Sequence, residues 1–258
     1  MTGMSRHAAL SVVIPCFNEA SYVGGLLDDL VNQTRPPKQV VVADSQSSDA
    51  TAEIAATYAD VLPLAIVRAP RGVAHARNAG AGAANADWLL FLDADVRLPP
   101  RFLEDLLGDV ERRGATLATT NFRASESSLR DRAAVWIGLQ YCRAFARSRH
   151  PVVGGFCVLS SRDIFRSVGG FDPRLSMGED VDYASRAVKA GARFAFVTRT
   201  WLFYNLRRYR REGFVRLAAK NVAYEAFRRA RRFDVVESPF DYTYGGYPAE
   251  ETDTGDRT

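Results

Sequence analysis

Apolar positions along this chain follow two different periods. Short runs rich in Val, Ile, Leu and aromatic residues predict strands at 10–14, 39–43, 64–67, 88–92, 115–120, 152–159 and 193–197. Between them, apolar residues recur at helical spacing and predict helices near 21–32, 49–58, 73–84, 100–113, 129–147 and 179–190. Strands alternating with helices argue for an α/β chain whose sheet is mostly parallel and flanked by helices. Ligands in such sheets bind outside the carboxyl ends of the strands. Side chains with chemical potential should therefore follow the strands directly.

They do. The first strand runs into Pro15-Cys16-Phe17-Asn18-Glu19, the second into Asp44-Ser45-Gln46-Ser47-Ser48-Asp49-Ala50-Thr51, and the apolar run Trp88-Leu89-Leu90-Phe91-Leu92 into Asp93-Ala94-Asp95. Two carboxylates at the tip of a buried strand are unfavourable unless a cation or a hydrogen-bond network compensates them. Residues i and i+2 of an extended segment point the same way, so Asp93 and Asp95 can address one site. Their hard oxygens suit Mg2+ or Mn2+, which leave coordination positions for water and a substrate's phosphates. The same residues also suit a solvated strand end, with Asp95 capping the turn before Pro99-Pro100. Ser48 or Asp49 reads as a helix cap, which leaves Asp44 at the strand tip without a structural task.

Length and composition change this picture little. The chain has 258 residues, enough for one large α/β domain or two small ones. Its three cysteines, Cys16, Cys142 and Cys157, have neither disulfide-like nor metal-like spacing and suit a reducing compartment. No apolar run approaches the roughly 18 to 20 residues of a membrane span, and the polar stretch 1–9 predicts no signal or transit peptide. The expected location is the cytoplasm, in solution or on the cytoplasmic face of a membrane.

Taken in order, Ile14-Pro15 with Asn18-Glu19, the Asp44–Thr51 loop, Ala76-Arg77-Asn78-Ala79-Gly80, Asp93-Ala94-Asp95, Gly169-Gly170-Phe171-Asp172 and Gly178-Glu179-Asp180 resemble glycosyltransferase family 2, whose members have the GT-A fold. The resemblance spans roughly residues 9–210. It implies an inverting transfer of a sugar from a nucleotide-diphosphate donor to a hydroxyl of a carbohydrate or lipid-linked acceptor, with a divalent cation, Mg2+ or Mn2+, as cofactor. Position by position, it places Pro15, Asn18 and Glu19 along the nucleoside and Asp44 on the base. It places Asp93 near the ribose, diphosphate and metal, and Asp95 as the main metal ligand. Asp180 becomes the catalytic base, Glu179 an acceptor-positioning residue, and Gly154 and Gly155 the floor of the acceptor site. Arg77 is a candidate contact to the nucleotide's diphosphate, or a surface charge of its helix. Relatives often carry a metal-completing histidine near the position of Tyr204-Asn205; here the histidines are His7, His75 and His150.

Residue types explain the chemistry. The acceptor hydroxyl attacks opposite the departing diphosphate, so one carboxylate must take its proton while a cation neutralises the leaving group. Glu179, Asp180 and Asp182 also suit the first turn of a helix by charge alone, and Asp182 with Arg186 reads as a solvated i,i+4 pair.

The expected organisation is a GT-A domain over 9–205, a basic amphipathic extension over 206–237 packed on or beside it, and a tail over 238–258 with a disordered end. Arg207, Arg208, Arg210 and Arg211 open the extension. They suit docking on an anionic membrane, closure over the donor diphosphate, or a solvated helix face. Ala133, Ala134, Val135, Trp136, Ile137, Leu139 and Phe145 belong either to the core or to an acceptor-side helix. A sequence pI near 9.1 raises nucleic-acid binding, yet no base-recognition motif accompanies the arginines, and no nucleic acid is expected. A sugar nucleotidyltransferase would carry a glycine-rich basic loop where this chain has Pro15-Cys16-Phe17-Asn18-Glu19.

Overall fold

The computed structural model describes residues 9–125, 128–175 and 177–213, with Arg216, Ala219, Lys220, Ala223, Tyr224 and Phe227 beyond them. Seven strands form one sheet: β1 (Leu10–Cys16), β2 (Gln39–Asp44), β3 (Leu64–Arg68), β4 (Trp88–Leu92), β5 (Leu117–Ala124), β6 (Cys157–Ser161) and β7 (Phe194–Tyr204). Their order is β3-β2-β1-β4-β6-β5-β7. Pairs β1/β2, β1/β4, β2/β3 and β5/β7 are parallel, and β6 runs antiparallel to both β4 and β5. The expected mixed, mostly parallel sheet is therefore what forms.

Helices α1 (Val23–Val31), α2 (Thr51–Ala56), α3 (Val73–Ala83), α4 (Phe102–Arg113), α5 (Leu129–Phe145), α6 (Arg162–Ser167), α7 (Glu179–Lys189) and α8 (Arg207–Glu212) connect or flank the strands. The strand period sorts β1 between two cores. Val12 and Ile14 pack on one face with Leu26, Leu30, Phe102 and Leu106, while Val13 packs on the other with Ala74, Phe91 and Tyr183. Helix α3 lies very close to the sheet: a Cβ on Gly80 would collide with the Val13 Cγ1 methyl.

Three departures from the sequence expectations have physical reasons. Residues 152–156 are not strand; Val152 and Val153 are buried, but the Cys157 N–H turns back to the Gly154 carbonyl, so β6 starts only at Cys157. β7 reaches Tyr204 because a register shift opposite Thr120/Asn121 lets pairing resume at Trp201 past Thr198-Arg199-Thr200. Helix α6 has too short a period to stand out, and Ser161 caps it by accepting from the Ile164 N–H. The extension is described at α8 and at the six isolated positions; the expected tail over 238–258 lies outside the described residues. Among the described residues no helix is long and apolar enough to cross a membrane.

Candidate active site

The carboxyl ends of β1, β2 and β4 lie side by side because these strands are neighbours in register, with Cys16 opposite Asp44 and Val13 opposite Phe91. Two loops after β1 and β2 are stitched together. The Asn18 N–H donates to Ser47 Oγ (2.9 Å), the Glu19 N–H to Thr51 Oγ1 (2.8 Å), and the Ser48 N–H to Asn18 Oδ1 (2.8 Å). Asp44 accepts from the Ser47 N–H within its own turn. Asn18 and Gln46 adopt positive φ (54° and 63°), strain that these cross-loop bonds maintain. The Cys16 thiol sits among Glu19, Asp44, Asp49 and Asp93; burial first, then their negative charge, pushes it well above its ordinary value.

Arg207, at the start of α8, fills the space beside Asp95. Its Nε is 2.9 Å from Asp95 Oδ2, its Nη2 donates to both oxygens of Glu19 (2.6 and 2.8 Å), and its guanidinium lies 4.4 Å from the centre of the Tyr22 ring. Two buried carboxylates thus share one cation. Burial raises Glu19 to about 7 and Asp95 to about 6, and Arg207 pulls each back only in part. Arg208 pairs with Glu212 and Arg210 with Asp131, so these arginines of the basic run do not form a solvated face.

Arg77 organises the other half of the cleft. It is 2% exposed, which removes the reading of a surface helix charge. Its Nη1 donates to Glu179 Oε1 (2.7 Å), and its Nη2 donates to Asp93 Oδ1 (3.1 Å) and to the Gly155 carbonyl (2.9 Å). A Cβ on Gly155 would lie 2.9 Å from that Nη2 and 3.0 Å from Asp180 Oδ2, so Gly155 brings Asp93, Arg77 and Asp180 into one neighbourhood. Pro15, on the fully buried strand β1, contributes shape rather than a donor. Gly154 is half-buried, with the Phe156 ring where its Cβ would be.

Asp180 stands in the first turn of α7, whose N-cap residue is Gly178 (φ 70°). Its Oδ1 accepts from the Val181 N–H (2.8 Å). On α5, burial and then the negative charge of Asp180 push the Cys142 thiol up to about 12. Three side chains clamp the loop ahead of α7. Asn78 bonds both the carbonyl (2.7 Å) and the N–H (2.9 Å) of Phe171. Arg186, expected as half of a solvated pair, binds Asp182 at 2.7 Å and also donates to the carbonyls of Val168 and Gly170. Tyr224 donates to the Met177 carbonyl (2.6 Å). In the sequence Asn78 stands out only as part of the Ala76–Gly80 motif, and its neighbour Arg77 is the signal that α3 faces the site.

Asp93 follows β4 directly and Asp95 lies in the turn after it rather than on an extended strand, and their hard carboxylate oxygens form a donor set that fits a divalent cation sharing its sphere with a diphosphate. Among the described residues no group of three or more His, Cys, Asp or Glu side chains is placed to hold a metal.

A mixed sheet with acidic side chains grouped at the carboxyl ends of β1, β2 and β4 defines a GT-A type fold. Solved structures agree: residues 1–349 of TarS from S. aureus, in complex with UDP, superpose with a TM-score of 0.62 at 18% identity, covering 76% of this chain and 60% of that one. The mannosyltransferase PcManGT from Pyrobaculum calidifontis, in complex with GDP-Man and Mn2+, gives 0.60 at 24% identity, covering 76% and 56%. Residues 11–169 match glycosyl transferase family 2, and the chain belongs to that family. Among curated relatives it is 29% identical to the succinoglycan biosynthesis protein ExoA of Rhizobium meliloti, over 75% of this chain and 62% of that protein. It is 28% identical to the glycosyltransferase AglE of Haloferax volcanii, over 72% and 64%, and 30% identical to the pre-mycofactocin glycosyltransferase of Mycobacterium tuberculosis, over 74% and 41%. The chain thus spans less than two thirds of the length of each of these relatives.

Proposed function

We propose that this protein is an inverting glycosyltransferase that moves a sugar from a nucleoside-diphosphate donor to a hydroxyl of a glycan, polysaccharide-precursor or lipid-linked acceptor. The observation that carries the reading is the Arg77 cluster, in which Asp93 on the donor side and Gly155 beside Asp180 hang on one guanidinium. The stitched loop of Asn18, Glu19 and Asp44 receives the nucleoside. Asp180 Oδ2 accepts the proton of the acceptor hydroxyl as its oxygen bonds to the anomeric carbon and the bond to the diphosphate breaks. Glu179 acts through Arg77, which fixes the Gly155 carbonyl under the acceptor.

Asp95 and Asp93 would hold the cation. A divalent ion, when bound, neutralises the charge that develops on the leaving diphosphate. Arg207 keeps Asp95 and Glu19 compensated until a donor arrives, and then has a diphosphate within its compass. Solved structures of similar fold carry ligands of this class: one of TarS carries UDP-GlcNAc and that of PcManGT carries GDP-Man with Mn2+.

A thermal-shift panel of UDP-, GDP- and dTDP-sugars, each with and without Mn2+, tests this reading. One donor should raise the melting temperature in a metal-dependent way, and adding an acceptor should release nucleoside diphosphate. A protein stabilised by no sugar nucleotide under either condition would remove the proposal. Release of pyrophosphate would assign it to nucleotidyl transfer.

A further inference from the structure

We propose that the outer face of α5 docks on an anionic lipid surface. The core reading of this helix holds only for its inner side: Val135 and Cys142 are buried, and Gly138 lies against the Phe122 ring. The outer side carries Leu129, Trp136, Ile137 and Tyr141 with exposures of 81%, 61%, 62% and 37%. With Ala133 they recur at i, i+4, i+7, i+8 and i+12, one continuous stripe of a helix. These side chains face outward because the inner side is already packed, not because the helix stands free. Adjacent exposed Trp and Ile on a single stripe exceed the scattered apolar exposure of ordinary surfaces.

Charge selects the partner. From Ser128 to His150 the chain carries exposed Arg130, Arg132, Arg147 and Arg149 against one acid, Asp131, while Arg143 turns its guanidinium to Asn121 Oδ1 at 3.0 Å. Asp131 is buried and accepts from Arg210 Nη2 at 2.8 Å, so it presents no negative charge outward. An apolar stripe containing Trp and edged by arginines matches a bilayer boundary: the stripe enters the acyl border, and the guanidinium groups meet lipid phosphates. Each such cation near an anionic surface is worth roughly fivefold in partitioning. The inner side of the same helix reaches the Gly154-Gly155 loop through Gly138 on the Phe122 ring and the edge contact of that ring with Phe156. If the proposed transfer reaction holds, docking would turn the acceptor side of the cleft toward the membrane, where a lipid-linked acceptor resides; the docking itself does not depend on that reaction.

The full chain should float with phosphatidylcholine vesicles containing about a third phosphatidylglycerol, and far less with phosphatidylcholine alone. Trp136 emission should shift to the blue on binding. Trp136→Glu/Ile137→Glu should lower partitioning by about tenfold or more without lowering the melting temperature, since both positions are exposed. Arg130→Glu/Arg132→Glu/Arg147→Glu should abolish the preference for anionic vesicles and stands as the test should the first variant fold poorly. Asp180→Asn should bind vesicles like the parent, which separates this proposal from the catalytic one. No flotation with anionic vesicles, or unchanged flotation of both variants, overturns it. So does a concentration-dependent dimer lost in Trp136→Glu/Ile137→Glu without lipid binding, or a Trp136 already shielded from aqueous quenchers in the free protein.

Discussion

Arg77 and Glu179 are 102 residues apart in the chain and 2.7 Å apart in the fold, both almost wholly out of water. Burying either charge alone would be prohibitive, so helix α3 and the first turn of α7 are obliged to meet where they do. Because Arg77 Nη2 continues to Asp93 and the Gly155 carbonyl, the same ion pair aligns the end of β4 with the loop before β6. A structural necessity and the geometry of the cleft are one arrangement.

Arg77→Ala should destabilise the protein by about 3–5 kcal/mol, because it strands the Glu179 carboxylate in the interior. Urea unfolding measures this. Arg77→Met/Glu179→Met should recover most of the loss, since removing both partners leaves no unpaired buried charge. A double variant as unstable as the single one would place the cost in packing instead.

Stability should depend on pH through Glu19 and Asp95. Glu19 ionises near 4.5 when unfolded but only near about 7 when folded, and Asp95 moves from 3.8 to about 6. The folded state holds these protons more tightly. Their contribution is complete below the unfolded values and is lost as pH rises through about 6 and then about 7. Relative to Glu19→Gln, the parent should therefore lose ground in urea midpoint as pH rises from about 4 to about 8. The opposite slope would mean that Arg207 outweighs burial. Cation binding at Asp95 should correspondingly strengthen with rising pH, because proton and metal compete.

Asp180→Asn should bind donor nucleotide as the parent does and lose roughly 10²- to 10⁴-fold in turnover, the usual worth of a positioned base. Steady-state kinetics should place the loss in kcat rather than in the KM for donor. Parent-like turnover would remove Asp180 from the role of base.

Asp95→Ala should abolish the Mn2+-dependent part of donor stabilisation while leaving any metal-independent part, as read by the thermal-shift panel. Stabilisation by donor and Mn2+ equal to that of the parent would show that the cation is held elsewhere.

Gly80→Ala should destabilise by about 1–3 kcal/mol through collision with Val13 across the helix–sheet interface. Adding Val13→Ala should restore part of that loss, and a double-mutant cycle reads the coupling directly.

Much of this was legible in the chain because it is local. Period sorted the strands from the helices, and the rule that ligands sit at strand ends singled out Asp44, Asp93 and Asp95 before any fold was in view. The order of motifs named the family that residues 11–169 match. Boundaries failed where tertiary pairing overrode local pattern, as in β7 resuming past its register shift and in Val152 and Val153, buried without joining the sheet. For Trp136 and Ile137 only the core alternative fell, since composition cannot say which side of α5 meets the core.

By itself, then, the sequence determined the alternation of elements and the acidic residues at their ends, because hydrophobic period and chain-local geometry act over a few residues. Only the tertiary structure decided who neutralises those acids: Arg77 for Glu179 and Asp93, Arg207 for Glu19 and Asp95. Ion pairing is a matter of distance and burial, and partners 188 residues apart, as Arg207 and Glu19 are, leave no mark on local pattern.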